Sequence, residues 1–283
     1  MPQSQSPPVV LTIAGFDPSS GAGVTADIKT IAAHGCYGIA AITAMTVQST
    51  AGVRQIVPVD PGLLSDTLDE LASDVTISAV HIGMLGSGEI ASRVSRFLEA
   101  ARPPKVVLDP IMESSSGARL LDEAGISVLK ERVLPLAIVI TPNIHEAAAL
   151  AGIPVKNLDD MKLAARRLQE MGAHSVVVTG GHLESAIDLL SERGQPSQTF
   201  RSDLLRSNNT HGTGCAFSTA IACHLAQRRS LSSAVLAAKS YVTVTIANSY
   251  AIGKGGGPVN HLHRIKSYAK EQELAKPLAS GKN

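Results

Sequence analysis

Short apolar runs rich in valine and isoleucine alternate along the chain with longer stretches in which apolar residues recur at helical spacing. The runs have the length of buried strands and lie at residues 9–14, 39–45, 77–82, 106–108, 137–140 and 175–178. The periodic stretches predict helices at residues 22–33, 63–72, 90–100, 161–171, 216–227 and 232–247. Strands that alternate with helices predict a mostly parallel central sheet between two helix layers, which is a three-layer α/β/α fold of the α/β class.

The late part of the pattern differs from the rest. Two polar-flanked segments, residues 185–190 and 198–205, predict an antiparallel pair at the end of the sheet. The 283 residues show no break in composition, no linker and no internal repeat. We therefore expect one domain over residues 1–283, with flexible ends at residues 1–8 and from about residue 271 to 283.

The composition argues against nucleic-acid and membrane partners. Lys and Arg number 25 against 24 Asp and Glu, for a net charge of +1, and aromatic residues make up 3%, so neither a basic surface nor base-stacking platforms are expected. Residues 1–8 lack the charged flank and apolar stretch of a signal peptide, and the apolar runs are too short to span a bilayer. Three cysteines without paired metal-ligand spacing fit a reducing compartment, so we expect a cytoplasmic protein.

The strongest local signal is a glycine-rich segment directly before the predicted helix 216–227. It reads Asn209-Thr-His-Gly-Thr-Gly-Cys215. A glycine-rich turn that enters a helix exposes backbone N–H groups to a ligand, and the helix dipole adds partial positive charge, so this end attracts phosphate. At the helix start Cys215 should have a lowered pKa and accept a proton from a substrate hydroxyl. A small buried hydrophobe is an equally good interpretation of Cys215 by spacing alone, and it is the expected one for Cys36 and Cys223.

Seven further segments occur with this loop in an order that is specific to one family. They are residues 11–29 (LTIAGFDPSSGAGVTADIK), 43–50 (TAMTVQST), 82–85 (IGML), 109–112 (DPIM), 141–146 (TPNIHE), 180–182 (GGH) and 257–261 (GPVNH). Together with residues 209–215 they are distributed nearly from one end of the chain to the other. On these segments the chain resembles the hydroxymethylpyrimidine/phosphomethylpyrimidine kinases of thiamine biosynthesis, members of the ribokinase superfamily.

The resemblance implies a ribokinase-like fold and an activity that depends on ATP and Mg²⁺. Phosphate would be transferred to the hydroxymethyl group of 4-amino-5-hydroxymethyl-2-methylpyrimidine, and the same site would then phosphorylate the monophosphate to the diphosphate. Cys215 would be the catalytic base, and Gly212, Thr213 and Gly214 would form the anion hole. Superfamily relatives are often dimers, so we expect a homodimer.

A second group of residues is implied on the substrate side, namely Gly15, Asp27, Gln48, Met84 and Ile111. Asp27 lies in the first turns of a predicted helix, where an acidic residue is also favourable for the helix itself. The amide of Gln48 both donates and accepts, which suits an aminopyrimidine edge, although a solvated loop glutamine is the alternative. The resemblance places both in the substrate pocket, which Gly15, Met84 and Ile111 line.

Polar residues after two other strands are candidates for the phosphate side. Asp109 is either a ligand residue or a turn residue, and Asn143 with Glu146 has the spacing of a helix capping box. The resemblance places all three around the phosphates and a hydrated Mg²⁺, with Asp109 and Glu146 binding the metal through water. The nine histidines are scattered and predict no metal centre, whereas His182 and His211 should orient loops by hydrogen bonding.

The chain departs from the family pattern on the nucleotide side. The resemblance places Thr179, Gly181 and Lys239 near the nucleotide, but many family members have Lys where this chain has Thr179. Lys239 or Lys254 would have to supply the missing cation. Phe16 stands where Ser is common, beside the predicted pocket, which leaves the breadth of substrates open.

Two other functions are compatible with the sequence. Some pyridoxine and pyridoxal kinases of the same superfamily share the Cys-ended loop and phosphorylate a hydroxymethyl group on a six-membered nitrogen ring. Gln48 and Met84 favour the pyrimidine over that ring. A non-catalytic regulator that binds a thiamine precursor is the alternative from another class, and the intact loop from Gly212 to Cys215 argues against it.

Overall fold

The computed structural model describes residues 6–114, 116–181, 186–203, 205 and 207–265. Within these residues nine strands form one sheet. They are β1 (Val9–Phe16), β2 (Tyr37–Ser49), β3 (Gly52–Pro58), β4 (Ile77–Ile82), β5 (Val106–Leu108), β6 (Val139–Ile140), β7 (Ser175–Gly180), β8 (Ala186–Glu192) and β9 (Gln198–Ser202). The flexible ends that the sequence predicts lie, apart from residues 6–8, outside the described residues. The single domain over 1–283 therefore stays a prediction.

The sheet has the order β3-β2-β1-β4-β5-β6-β7-β8-β9. The six strands from β2 to β7 in this order are parallel, whereas β3, β8 and β9 pair antiparallel to their neighbours. The predicted parallel sheet and the late antiparallel pair are confirmed. The edge strand β3 is not among the predicted strands, because most of its side chains are exposed or half-buried and it has no apolar run.

Eight α-helices connect the strands in the described residues. They are α1 (Gly23–Ala33), α2 (Pro61–Asp74), α3 (Gly88–Ala101), α4 (Glu123–Val128), α5 (Ile144–Ala151), α6 (Leu158–Glu170), α7 (Thr213–Ala226) and α8 (Leu231–Ala247). The sequence predicts all but the short α4 and α5, which have at most two turns in which to show a period. None of the described helices combines the length and the apolar character needed to cross a bilayer.

Two apolar clusters lie on the two faces of the sheet. Helices α2 to α6 pack on one face and α1, α7 and α8 on the other. Strand residues alternate between the clusters, so that Val106 and Leu108 belong to the first and Val107 to the second. This alternation is what a strand covered on both faces requires, and burying each large aliphatic side chain contributes about 1.5–3 kcal/mol relative to exposure. The three α/β/α layers are therefore confirmed.

Candidate active site

The candidate site lies where the parallel strands end. Asp109 follows β5, Asn143 follows β6 and Met84 comes two residues after β4. The carboxyl edge of an open parallel sheet is the usual ligand side of such folds. The start of α7 reaches the same edge, because a Cβ atom built on Gly214 would lie 3.8 Å from Oδ2 of Asp109.

The glycine-rich loop is held by a close approach of two backbones. Gly212 caps α7 in the left-handed region, with φ of +84°, and any side chain there would collide with the carbonyl oxygen of Gly21. The loop therefore requires glycine at position 212 for both its conformation and its contact. Thr213, Gly214 and Cys215 form the first turn of α7. The N–H of Thr213, one of the predicted anion-hole residues, already donates to the carbonyl oxygen of Thr210 at 3.1 Å. The next N–H groups, those of Gly214 and Cys215, lack acceptors within the helix, so they are the ones suited to an anion.

The lowered pKa that the sequence predicts for Cys215 is wrong. Burial, and then the carboxylates of Asp27, Asp109 and Glu146, raise the pKa of the thiol well above its ordinary value, against a hydrogen bond from the backbone of Gly23. A charge at a helix terminus gains only about 0.3–1 kcal/mol, which burial beside three acidic groups outweighs. The ligand-free protein therefore holds Cys215 as a neutral thiol at neutral pH.

The two acidic groups that are predicted for the phosphate side interact with each other. Burial raises the pKa of Asp109 to about 6. Burial and the nearby Asp109 raise the pKa of Glu146 to about 8. Within the described residues no three His, Cys, Asp or Glu side chains form a metal-binding group. Two oxygen ligands that repel one another fit the hydrated Mg²⁺ that the resemblance implies, since this ion keeps several of its waters.

The capping box at α5 is confirmed. Asn143 Oδ1 accepts from the N–H of Glu146 at 2.9 Å, and Glu146 Oε2 accepts from the N–H of Asn143 at 2.8 Å. The box fixes one carboxylate oxygen of Glu146, which keeps the carboxylate at the sheet edge. Asn143 also forms an isolated parallel β-bridge with Thr179 of β7. The residues predicted for the phosphate side and for the nucleotide side are therefore adjacent.

Three of the predicted pocket residues form a continuous surface. A Cβ atom on Gly15 would lie 3.0 Å from Sδ of Met84, so glycine leaves room for the methionine. Met84 is buried and packs with Ala44, Leu120 and Ile111. Gly15, Met84 and Ile111 are thus together at the ends of β1, β4 and β5, which is the arrangement that a shared pocket needs.

Gln48 belongs to a separate polar group with His211 and Asp17. Its Nε2 lies 3.4 Å from Nε2 of His211, and the same ring nitrogen lies 2.9 Å from Oδ2 of Asp17. Burial opposes ionisation of Asp17, but hydrogen bonds from His211, Ser19 and Ala22 hold its pKa below the ordinary value. His211 therefore donates to an ionised Asp17 and joins two loops, as the sequence predicts for this histidine. His182 lies outside the described residues.

Asp27 does not lie open to a substrate. Its side chain is fully buried, Oδ1 accepts from Thr219 at 2.9 Å, and Oδ2 accepts from Thr12 at 2.6 Å. It is the fifth residue of α1, just past the first turn and still near the helix N-terminus. Its charge raises the pKa of Cys215, so the carboxylate acts on the thiol from within the protein interior. Direct contact of Asp27 with a substrate stays a prediction that this placement does not favour.

The nucleotide-side lysine is engaged with an acid. Nζ of Lys239 lies 2.8 Å from Oδ2 of Asp188, both side chains are buried, and Asp188 Oδ1 accepts from the N–H of Gly180 at 3.1 Å. Asp188 is also the cross-strand partner of Thr179. Lys239 thus supports the end of β7 through Asp188. Gly181 directly follows β7, and a Cβ atom built there would have no neighbouring atom within 4 Å.

Three polar residues of the site are not evident from the sequence pattern, namely Asp17, His81 and Ser218. His81 is fully buried in β4, and Ser218 is fully buried in α7. Their one sequence signal is a polar residue inside an otherwise apolar element, which does not identify a partner. Asp17 belongs to the family-like segment 11–29 but lacks a neighbouring ligand pattern of its own.

The fold and the site together define a ribokinase-like small-molecule kinase, with a glycine-rich helix start and buried acidic groups at the carboxyl edge of the sheet. The model of the phosphomethylpyrimidine kinase family matches residues 17–260, and the chain belongs to that family.

The relatives and neighbouring structures agree with this membership. The chain is 44% identical over 255 residues to the thiamine biosynthesis bifunctional protein ThiED of Geobacter sulfurreducens, covering 89% of the chain but only 52% of that relative, so it spans about half the bifunctional protein. It is 42% identical to the hydroxymethylpyrimidine/phosphomethylpyrimidine kinase of Haemophilus influenzae, covering 89% of the chain and 96% of the relative. An ADP complex of Bacillus subtilis pyridoxal kinase superposes with a TM-score of 0.84 at 33% identity, covering 90% of this chain and 98% of the other.

Proposed function

We propose that the chain phosphorylates 4-amino-5-hydroxymethyl-2-methylpyrimidine with ATP, and then phosphorylates the monophosphate to the diphosphate, as a part of thiamine biosynthesis. The observation that carries this proposal is the position of Cys215. It ends the anion-binding loop at the start of α7 and lies beside the buried acids Asp109 and Glu146. The names of the relatives supply the substrate class.

In the first transfer, the hydroxymethyl oxygen attacks the γ-phosphorus of ATP. The new O–P bond forms as the bond to the β,γ-bridging oxygen breaks, and ADP leaves. The hydroxyl proton passes to the Cys215 thiolate, while the N–H groups of Gly214 and Cys215 stabilise the charge on the transferred group. Asp109 and Glu146 would hold Mg²⁺, which, when bound, supplies positive charge that offsets these carboxylates and the phosphates. Once the carboxylates are offset, the Cys215 thiolate forms more readily.

The pocket surface suits a small flat ring. Gly15, Met84 and Ile111 would contact its faces, and Gln48 would recognise its amino-pyrimidine edge. Thr179 and Gly181 would adjoin the nucleotide. Lys239 would act there indirectly, by fixing Asp188 and hence the end of β7.

Pyridoxal phosphorylation is the second candidate, because pyridoxal kinases at 32–33% identity share the fold over nearly the whole chain. The test measures ADP formation by the purified protein with the pyrimidine, with its monophosphate and with pyridoxal, and identifies each product. We expect a higher kcat/KM for the pyrimidine. A preference for pyridoxal of about tenfold, equivalent to about 1.4 kcal/mol, would overturn the first choice. If none of the three compounds supports ADP formation, the result would favour the non-catalytic regulator that binds a thiamine precursor.

We also infer a cytoplasmic homodimer with no nucleic-acid or membrane partner. An apolar strip on the β2–β3 hairpin supports self-association, since Met45, Val47 and Val57 are 46%, 40% and 48% exposed. Light scattering after size-exclusion chromatography tests the state, and we expect Val47→Glu to shift a dimer to monomer. A monomeric wild type would contradict the inference.

A further inference from the structure

A fully buried histidine lies between the two acidic groups behind the thiol. In β4, His81 has no exposed surface. Its Nδ1 is 3.3 Å from Oδ2 of Asp27, and its Nε2 is 2.9 Å from Oγ of Ser218. Ser218 Oγ in turn lies 3.1 Å from Oδ2 of Asp109. The ring therefore connects the carboxylate of Asp27, on α1, through Ser218 to the carboxylate of Asp109, which follows β5.

The protons of the neighbouring hydroxyl groups indicate the state of the ring. Thr12 donates its hydroxyl proton to Asp27 Oδ2 at 2.6 Å, so its oxygen offers only an acceptor to His81 Nδ1. Ser218 donates to Asp109 Oδ2 or to a backbone carbonyl of its own helix turn, so it too accepts from the ring. With the hydroxyl protons in these positions, both nitrogens of His81 face acceptors. A ring that satisfies both contacts carries two protons and a positive charge.

We propose that His81 is a positioning residue for phosphoryl transfer, a buried imidazolium that ties Asp27 to Ser218 and Asp109 and offsets their charge behind Cys215. The proposal deepens the proposed function, on which it rests for the role of Cys215.

The electrostatics of the group agree with this geometry. Burial alone would disfavour the charged ring, but the carboxylates of Asp27 and Asp109 outweigh it and raise the pKa of His81. The same two carboxylates raise the pKa of Cys215. A positive charge between them reduces the negative potential at the thiol, so the charge of His81 should make the Cys215 thiolate more accessible.

The test compares two variants at the same position. His81→Gln keeps a polar side chain without the charge, whereas His81→Lys keeps the charge on an unbranched stem. We expect His81→Gln to lower kcat for the first phosphorylation by about tenfold or more, with KM for the pyrimidine within about threefold. His81→Lys should recover most of the loss. The pH profile of Cys215 alkylation by iodoacetamide should move to higher pH in His81→Gln and return towards wild type in His81→Lys.

His224→Gln is the matched control, because it removes another buried histidine, on α7 and in contact with the ring of His34. Its kcat and alkylation profile should equal those of the wild type. A wild-type kcat and profile for His81→Gln would overturn the proposal, as would equal losses in His81→Gln and His81→Lys.

If His81→Gln does not fold, Ser218→Ala is tested instead. This variant removes the hydroxyl group that connects His81 to Asp109 but keeps the imidazole ring. A lowered kcat would then support the proposal, and an unchanged one would overturn it. The two levels of inference fail separately. A wild-type protein that is inactive on the pyrimidine contradicts the proposed function, whereas the alkylation profile tests the influence of His81 on Cys215 without any turnover.

Discussion

The base role that we propose for Cys215 matters only where a proton must leave the acceptor, and the two acceptors differ in this respect. The hydroxymethyl group must lose a proton, but a phosphate monoester, with a second pKa of about 6, already carries an ionised oxygen at neutral pH. We expect Cys215→Ala to lower kcat for the first phosphorylation by about 10²–10⁴, the usual effect of losing a general base, and to lower the second much less. Rapid-quench assays with each acceptor measure the two losses separately.

The control for this prediction lies on the same helix. Cys223 is fully buried two turns after Cys215, in the apolar cluster under α7. Cys223→Ala should lower the melting temperature without changing either rate. Equal losses of both phosphorylations in Cys215→Ala would mean that the thiol shapes the anion hole rather than accepting a proton.

Glu146 makes the folded state less stable as the pH rises. The unfolded carboxyl ionises near pH 4.5, whereas the folded one keeps its proton until about pH 8. Below pH 4.5 the carboxyl is protonated in both states, so its contribution to the free energy of unfolding does not change with pH. As the pH rises from 4.5 to about 8, the free energy of unfolding decreases by about 1.4 kcal/mol for each pH unit. Glu146→Gln should therefore gain stability relative to the wild type as the pH rises from 5 to 8, in urea unfolding.

An exposed glutamate at an equivalent position provides the control. Glu123 is in the first turn of α4, as Glu146 is in α5, but its side chain is 77% exposed. The stability difference between Glu123→Gln and the wild type should be nearly constant over the same pH range. A pH-independent difference for Glu146→Gln would show that the carboxyl is ionised in the folded protein throughout.

At the scale of the element, the entry into α7 depends on two turns that fit only without side chains. Gly212→Ala places a methyl group against the carbonyl oxygen of Gly21 and forces alanine into the left-handed region, which alone costs about 1–2 kcal/mol. We expect a lower melting temperature and a loss of kcat for both acceptors, since the proposed anion hole would move with the loop. Gly194→Ala is the control, with φ of +78° and open space around the new methyl group. Gly194→Ala should lower the melting temperature without changing kcat for either acceptor.

The regular elements could be predicted from the sequence because their apolar spacing is local. The strands 77–82 and 106–108 match residue for residue, and the capping box at Asn143 follows from a spacing of three. The edge strand β3 escapes the same rule because it buries little. Local patterns fix elements where burial is regular, and they fail where an element is exposed or very short.

The electrostatics of the site could not be predicted in this way, because they depend on which distant segments meet. The helix start is a local feature and favours a thiolate at Cys215. The buried carboxylates of Asp27, Asp109 and Glu146 come from three other parts of the chain and reverse that preference. His81 could not be identified from the sequence for the same reason, since its proposed role depends on contacts with residues of α1 and α7.

At the scale of the whole molecule, we expect the face of the sheet under α1, α7 and α8 to set the limit of stability in acid. A histidine cluster, made of His34, His224 and His261 with Tyr241, joins these helices to the last described segment. Burial lowers the pKa of His224 and of His261 to about 4, and it also lowers the pKa of His34. In the described structure Nε2 of His34 and of His261 is buried without a hydrogen-bond partner, so a proton added there finds no acceptor.

These shifts predict acid unfolding at a pH well above that of the carboxylates. The unfolded histidines take up protons below about pH 6.5, whereas the folded ones resist until about pH 4, so stability is lost progressively as the pH falls through this interval. His224→Phe keeps a ring against His34 and removes one titrating group. Its stability relative to the wild type should rise as the pH falls from 7 to 4.5, by up to about 1.4 kcal/mol for each pKa unit. Urea unfolding at pH 7 and 4.5 measures this change. A parallel loss of stability in wild type and His224→Phe would mean that the acid limit is set elsewhere, by carboxylates such as Asp17, whose low pKa stabilises the fold until the pH falls through it.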